Sequence, residues 1–215
     1  LDTKKNRLTT LAAIGDRLKA QRKEIATLKR DEQRLAKLIE GLARIAAARK
    51  TAPKVARGQE PRIAGSTHGK APKLKSHDPG NVGGAFGALR GQLRLPVKGT
   101  IAGRFGSPRA EGGASWKGIF IRAAEGMEVK AVAAGAVVFS DWLRGFGNLL
   151  VIDHGDDFLS VYGNNESLLA TVGASVKSGE AVATVGNSGG NPESGLYFEL
   201  RHRGQAFDPL KWAKN

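Results

Sequence analysis

Gly195–Leu200 reads GLYFEL and runs on into Arg201. In an extended strand successive side chains point to opposite faces, so Leu196, Phe198 and Leu200 share one face and Tyr197, Glu199 and Arg201 the other. The apolar set belongs in a core, and the second set is expected to line a groove. Upstream, short runs of the same kind recur. Val129–Ala133, Ala136–Ser140, Leu149–Asp153, Phe158–Tyr162 and Ala181–Val185 are strand candidates. They are separated by turn signals at Gly135, Gly145-Phe146-Gly147, the HGDD run 154–157 and the NSGG run 187–190. Short strands at this spacing, without a helical pattern between them, predict a β-sandwich or barrel-like sheet and exclude a parallel α/β unit.

The N-terminal quarter follows a different period. With Leu11, Leu18, Ile25, Glu32 and Ile39 at heptad position a, Ile14, Gln21, Leu28, Leu35 and Leu42 fall at d, and eight of the ten are apolar. This predicts one helix over 8–46 with a coiled-coil seam. A lone seam must be covered, by an upstream helix, a second copy or the chain's own C-terminal domain; a helix packed on that domain is the alternative to a coiled coil. Beyond Ala46 the composition turns to Ala, Lys, Arg, Pro and Gly. Pro53, Pro61, Pro72, Pro79 and Gly83-Gly84 mark a linker. His68 and His77 lie in it as solvated side chains. Phe86–Leu93 places Phe86, Leu89 and Leu93 on one side of a short helix. The expected organisation is a coiled-coil helix at 1–50, a basic Pro/Gly linker at 51–92 with a short regulatory helix at 86–93, and a β domain at 93–215.

The formal charge of +14 is unevenly distributed. Residues 1–50 hold 14 Lys and Arg against 6 Asp and Glu, whereas residues 93–215 hold 13 against 12. The basic excess sits on the helix and linker, and no basic-aromatic module accompanies it, which argues against nucleic acid as a partner. There is no cysteine, so disulfides and thiolate metal sites are excluded. No run of ~18 apolar residues signals a membrane-spanning helix. The first residue is Leu1, which leads us to expect that an N-terminal context, including any export signal, lies outside this sequence.

Five stretches, in order and spacing, carry a family resemblance: LPVKGTIAGRFG (95–106), AAEGMEVKAVAAGAVVFSDW (123–142), GFGNLLVIDHGDDFLSVYGN (145–164), VGASVKSGEAVATVGNSGG (172–190) and GLYFELRHRGQAFDPLKW (195–212). Together with WKGIF (116–120), they resemble the lysostaphin/LytM-type zinc endopeptidases. The family motifs H-x-G-x-D, Y-x-H and H-x-H-x-E fall on Trp116–Phe120, Tyr162–Asn164 and Gly195–Glu199. The positions of metal ligands or assisting histidines are therefore Trp116, Phe120, Asn164, Gly195 and Tyr197. A catalytic zinc needs three protein ligands and an open position for water, and these replacements do not supply them. His154, in a turn, and His202, three beyond Glu199, do not rebuild the site. Asp141, Asp153, Asp156 and Asp157 read as turn and surface residues.

The WKG, DWLxGFG and SGLYFELRxxGQAxDP patterns are similar to the branch of this family that activates septal peptidoglycan amidases. That resemblance implies a non-catalytic protein with no metal or cofactor of its own. It would bind an N-acetylmuramoyl-L-alanine amidase in the periplasm during cell division, while the coiled coil engages the FtsE–FtsX transporter. It further implies autoinhibition by a helical cover, for which Phe86–Leu93 or the linker before it are the candidates. The expected partner-binding groove comprises Arg104, Trp116, Lys117, Phe120, Asn164, Tyr197 and Arg201, a mixture of the aromatic and arginine types that dominate binding hot spots. Trp116 and Phe120 are expected either to face the groove or to plug the old cavity as core. Gly118 is expected to permit a close backbone approach. The exposed aromatics allow direct contact with peptidoglycan. The alternatives are a peptidoglycan-binding scaffold and a zinc endopeptidase with an atypical site.

Overall fold

The computed structural model describes residues 2–51, 86–109 and 114–214. Most of the linker, with His68 and His77, lies outside them. The described chain is mainly β, with ten strands after one long N-terminal helix, α1 (Asp2–Thr51). The helix runs further at both ends than the heptads alone predict. At its C-terminal end the Ala-rich run after Ile45 extends it, because alanine is the strongest helix former.

The strands are β1 (Thr100–Gly103), β2 (Ile119–Arg122), β3 (Glu128–Lys130), β4 (Gly135–Leu143), β5 (Gly147–Asp153), β6 (Phe158–Leu168), β7 (Ser175–Val176), β8 (Ala181–Val185), β9 (Gly195–His202) and β10 (Gln205–Phe207). They form one antiparallel sheet in the order β1-β2-β9-β6-β5-β4-β7, with β10 paired to β9. The long β6 is the branch point. It pairs with β5 and β9 and, past an irregularity after Asn165, its last residues pair with β8, which carries β3.

The sheet buries both faces. One core contains Leu196, Phe198 and Leu200 of β9, Leu150 and Ile152 of β5, Val129 of β3 and Val182 of β8. Phe86 and Leu93 close it from the end of the linker. Phe86 begins a 3-10 turn, Phe86–Leu89, and its ring stacks on His154 and Trp212, with centroids 4.6 and 5.4 Å apart. Leu93 is also zipped to the C-terminus, where its N–H donates to Trp212 O and its carbonyl accepts from Lys214. His154 is buried in the same region. Its ring nitrogens bond Ala134 O at 2.8 Å and Ser160 Oγ at 2.7 Å, and burial pushes its pKa down to about 4.

The second core lies on the other face, where Leu149, Val151, Val161 and Tyr197 meet Leu35 and Ile39 of α1. Leu35 and Ile39 are each 1 % exposed, whereas Leu11, Ile14 and Leu18 stand 65, 55 and 47 % exposed. One seam thus has two fates. Its C-terminal half packs on the chain's own β domain, as the alternative to a coiled coil requires. Its first three positions remain uncovered by any described residue.

Candidate partner-binding groove

The groove is built where β2, β9, the β4–β5 hairpin tip and the loop before β9 converge. In the β2–β9 ladder Phe120 stands opposite Tyr197, which places both side chains on one face. Trp116, just before β2, packs against both rings, with centroids 5.9 Å from Phe120 and 6.0 Å from Tyr197. Phe146 approaches Tyr197 from the hairpin at 5.3 Å. Two glycines make this arrangement possible. A Cβ on Gly103 would lie 2.7 Å from Trp116 Cε2, and one on Gly118 would lie 2.3 Å from Phe198 O. The close approach expected at Gly118 is therefore the contact between β2 and β9.

Beneath the aromatic layer, Glu199 is fully buried. Its Oε2 accepts from Tyr197 Oη at 2.7 Å and its Oε1 from Arg201 Nε at 2.6 Å. Desolvation raises the Glu199 pKa despite the opposing pull of Arg201 and Tyr197. Desolvation, with the neighbouring Glu199 charge, pushes Tyr197 well above the usual phenol range. Arg201 also donates to Gly204 O, so its guanidinium is held by the fold. It does not line the groove cavity.

Asn164 sits at a positive φ of 67°, a conformation that asparagine tolerates better than most residues. Its Nδ2 donates to Gly186 O and Gly195 O, and its Oδ1 accepts from Gly189 N–H. The side chain is a staple. It fixes the 186–195 loop, whose Gly189, Gly190, Asn191 and Pro192 form one wall of the groove.

Over this surface lies α1. Glu24, Thr27, Leu28 and Asp31 face Arg109, Trp116, Phe120 and Tyr197 across a cavity of about 350 Å³. Further along, Leu35 and Ile39 enter the apolar part. Asp31 is buried over Gly145, where an added Cβ would lie 2.4 Å from the Asp31 carboxyl carbon. The short turn at Phe86–Leu89, which was a candidate cover, packs on the opposite face of the sheet. Of the groove residues expected from sequence, Trp116, Phe120, Asn164 and Tyr197 come together around the cavity. Phe120 and Tyr197 belong to the core beneath α1, and Trp116 is half-buried against it. Arg104 and Lys117 are exposed and lie outside the cavity lining. Arg109 and Phe146 were missed. Arg109 lies 4.5 Å above the Trp116 ring in a cation–π contact. An isolated arginine in a loop gives no sequence signal.

Residues 114–209 match the model of peptidase family M23. The chain is 38 % identical over 212 residues to the murein hydrolase activator EnvC of Escherichia coli, covering 96 % of this chain and 50 % of that protein. Residues 114–209 are a peptidase family M23 domain. The match to the murein hydrolase activator NlpD of Salmonella typhimurium is 36 % identical over 143 residues, covering 66 % of this chain and 37 % of that protein. This chain therefore spans about half, or less, of the curated relatives it matches. Among solved structures, a zinc-containing peptidase from Vibrio cholerae superposes with a TM-score of 0.51 at 25 % identity, over 54 % of this chain and 38 % of that one. The LytM/M23 fold expected from the sequence motifs is the fold observed.

The residues at the positions that the family resemblance assigns to zinc chemistry do not fit a zinc ion. Trp116 and Phe120 carry no metal-binding lone pair, and Gly195 has no side chain. The space a side chain at Gly195 would need is filled by the Phe120 ring, with Cζ 2.6 Å from an added Cβ. Tyr197 directs its hydroxyl to Glu199, and the Asn164 amide is engaged with backbone. Among the described residues no group of three His, Cys, Asp or Glu is placed to hold a metal.

Proposed function

We propose that this M23 domain is a non-catalytic activator of a septal N-acetylmuramoyl-L-alanine amidase, held in an autoinhibited state by α1. A role in peptidoglycan hydrolase activation is supported by the names of the relatives, and a periplasmic location by their action at the envelope. The observation that carries the reading is the seating of residues 24–42 of α1 in the aromatic groove. A groove of Trp116, Phe120, Phe146 and Tyr197 is a protein-binding surface by composition. A partner that needs it must displace α1 first. Engagement of the exposed N-terminal half of α1 by the FtsE–FtsX transporter would supply the release, and the hydrolysis would belong to the amidase.

Dye release from labelled sacculi tests this with the full chain and its Leu35→Ala/Ile39→Ala variant, each alone and each with the amidase. Release is expected only from amidase plus variant, with little from amidase plus the unaltered chain. Release by either form alone overturns the non-catalytic reading, and equal activation by both removes autoinhibition.

A further inference from the structure

The two halves of the α1–groove contact are filled to different degrees. At one end Leu35 and Ile39 are fully buried among Phe146, Leu149, Val151 and Val161. At the other, Glu24, Thr27, Leu28 and Asp31 stand on one helical face and leave about 350 Å³ open against Trp116, Tyr197 and Arg109. Thr27 faces this space yet is exposed, and its hydroxyl turns back to Lys23 O at 3.0 Å. The space opens to solvent beside the exposed Glu24 and Thr27 and is ample for a large side chain. The helix fills the groove around Leu35 and Ile39 and leaves the side of the half-exposed Trp116 unfilled.

Resting on the reading of α1 as a detachable cover, we infer that the partner segment which displaces it is an amphipathic helix carrying a large aromatic side chain where α1 has Thr27 or Leu28. Its other groove-facing positions follow the α1 imprint. Acidic residues lie one turn to either side of the aromatic, as Glu24 and Asp31 do, facing the cationic Arg109. Aliphatic residues follow at the spacing of Leu35 and Ile39. Such a segment matches α1 where α1 binds well and adds stacking against Trp116, whose ring α1 leaves half-exposed. The open space explains how a partner in solution can compete with a helix tethered to the same chain. The cover is built to lose.

Substitution within the cover itself tests this. Thr27→Trp places an indole in the cavity, whereas Ala26→Trp places the same side chain on the far side of the helix. Hydrogen exchange of α1 amides in the full chain is expected to slow about tenfold in Thr27→Trp, and to stay at the unaltered rate in Ala26→Trp. Labelled peptides of residues 21–45 titrated onto the full chain give the second readout, with the Thr27→Trp peptide binding about tenfold more tightly than the unaltered and Ala26→Trp peptides. Equal exchange and equal binding across the three sequences overturns the inference, as does equal tightening by both tryptophans. If α1 exchanges only together with the β-sheet amides in every variant, the cover itself is refuted and the inference falls with it.

Discussion

Replacing Leu35 and Ile39 by alanine removes the two side chains of α1 that are fully buried against the sheet. Truncating a buried Leu or Ile to Ala costs about 2–5 kcal/mol in a protein core. On a helix that meets the sheet along one stripe, the lower end applies, about 2 kcal/mol for each residue and about 4 kcal/mol for the pair. That is a change of roughly a thousandfold in the ratio of docked to undocked helix. Native-state hydrogen exchange reads it directly. Amides of residues 28–42 should lose protection by up to that factor, while those of β5, β6 and β9 keep theirs. Circular dichroism should still report the sheet. Two results refute the reasoning. Unchanged exchange in α1 would mean that Leu35 and Ile39 do not hold it. Equal loss in the sheet amides would mean that α1 is an inseparable layer of the domain and no cover at all.

Removing one partner of the Glu199–Arg201 pair strands a charge in the interior, so Arg201→Ala should lower unfolding stability by about 3–5 kcal/mol in urea melts. Adding Glu199→Gln to it should restore much of that loss, and a double variant no better than the single one contradicts the account. The pKa of His154 is about 4 in the fold against 6.5 when free, so the unfolded chain binds more protons between those values. Stability should therefore fall as pH drops from 6.5 towards 4, by up to about 3 kcal/mol from this group, and denaturant midpoints across that range should fall less steeply in His154→Gln. Phe86→Ala opens the opposite core and should cost about 3–4 kcal/mol of global stability. It should leave the exchange of α1 relative to the sheet unchanged, because Phe86 and α1 lie on different faces.

The β domain was largely legible because its signal is local. Ala181–Val185 lies at its expected bounds, and the two faces of β9 divide as the alternation requires. β2 went unread as a strand since its Ile119, Phe120 and Ile121 are apolar without alternation, the pattern of a strand buried on both faces. β7 and β10, of two and three residues, are too short for any period to register. The aromatic positions of the groove were legible through the motifs, but the packing of α1 over them was not. A heptad says that a helix needs a partner and does not say which. The choice is made by features with no periodic trace: the bare Cα of Gly145 beneath Asp31, the approach of Phe146, and the loop that Asn164 holds in place. Arg201 misled for a similar reason. Strand alternation put it on the groove face correctly, but its hydrogen bonds turn it towards Glu199.

The length of α1 has a mechanical consequence. At 1.5 Å per residue, the groove contacts from Glu24 to Leu42 span about 27 Å, while Leu11 stands about 36 Å from Leu35. A sideways pull at Leu11 thus acts on a lever longer than the contact it must break. The moment falls first on the Glu24–Asp31 end, where the packing is thinnest. The helix would be prised off from its weakly filled end towards its strongly filled one, a few contacts at a time. A force too small to shear all of them together could then still lift the cover.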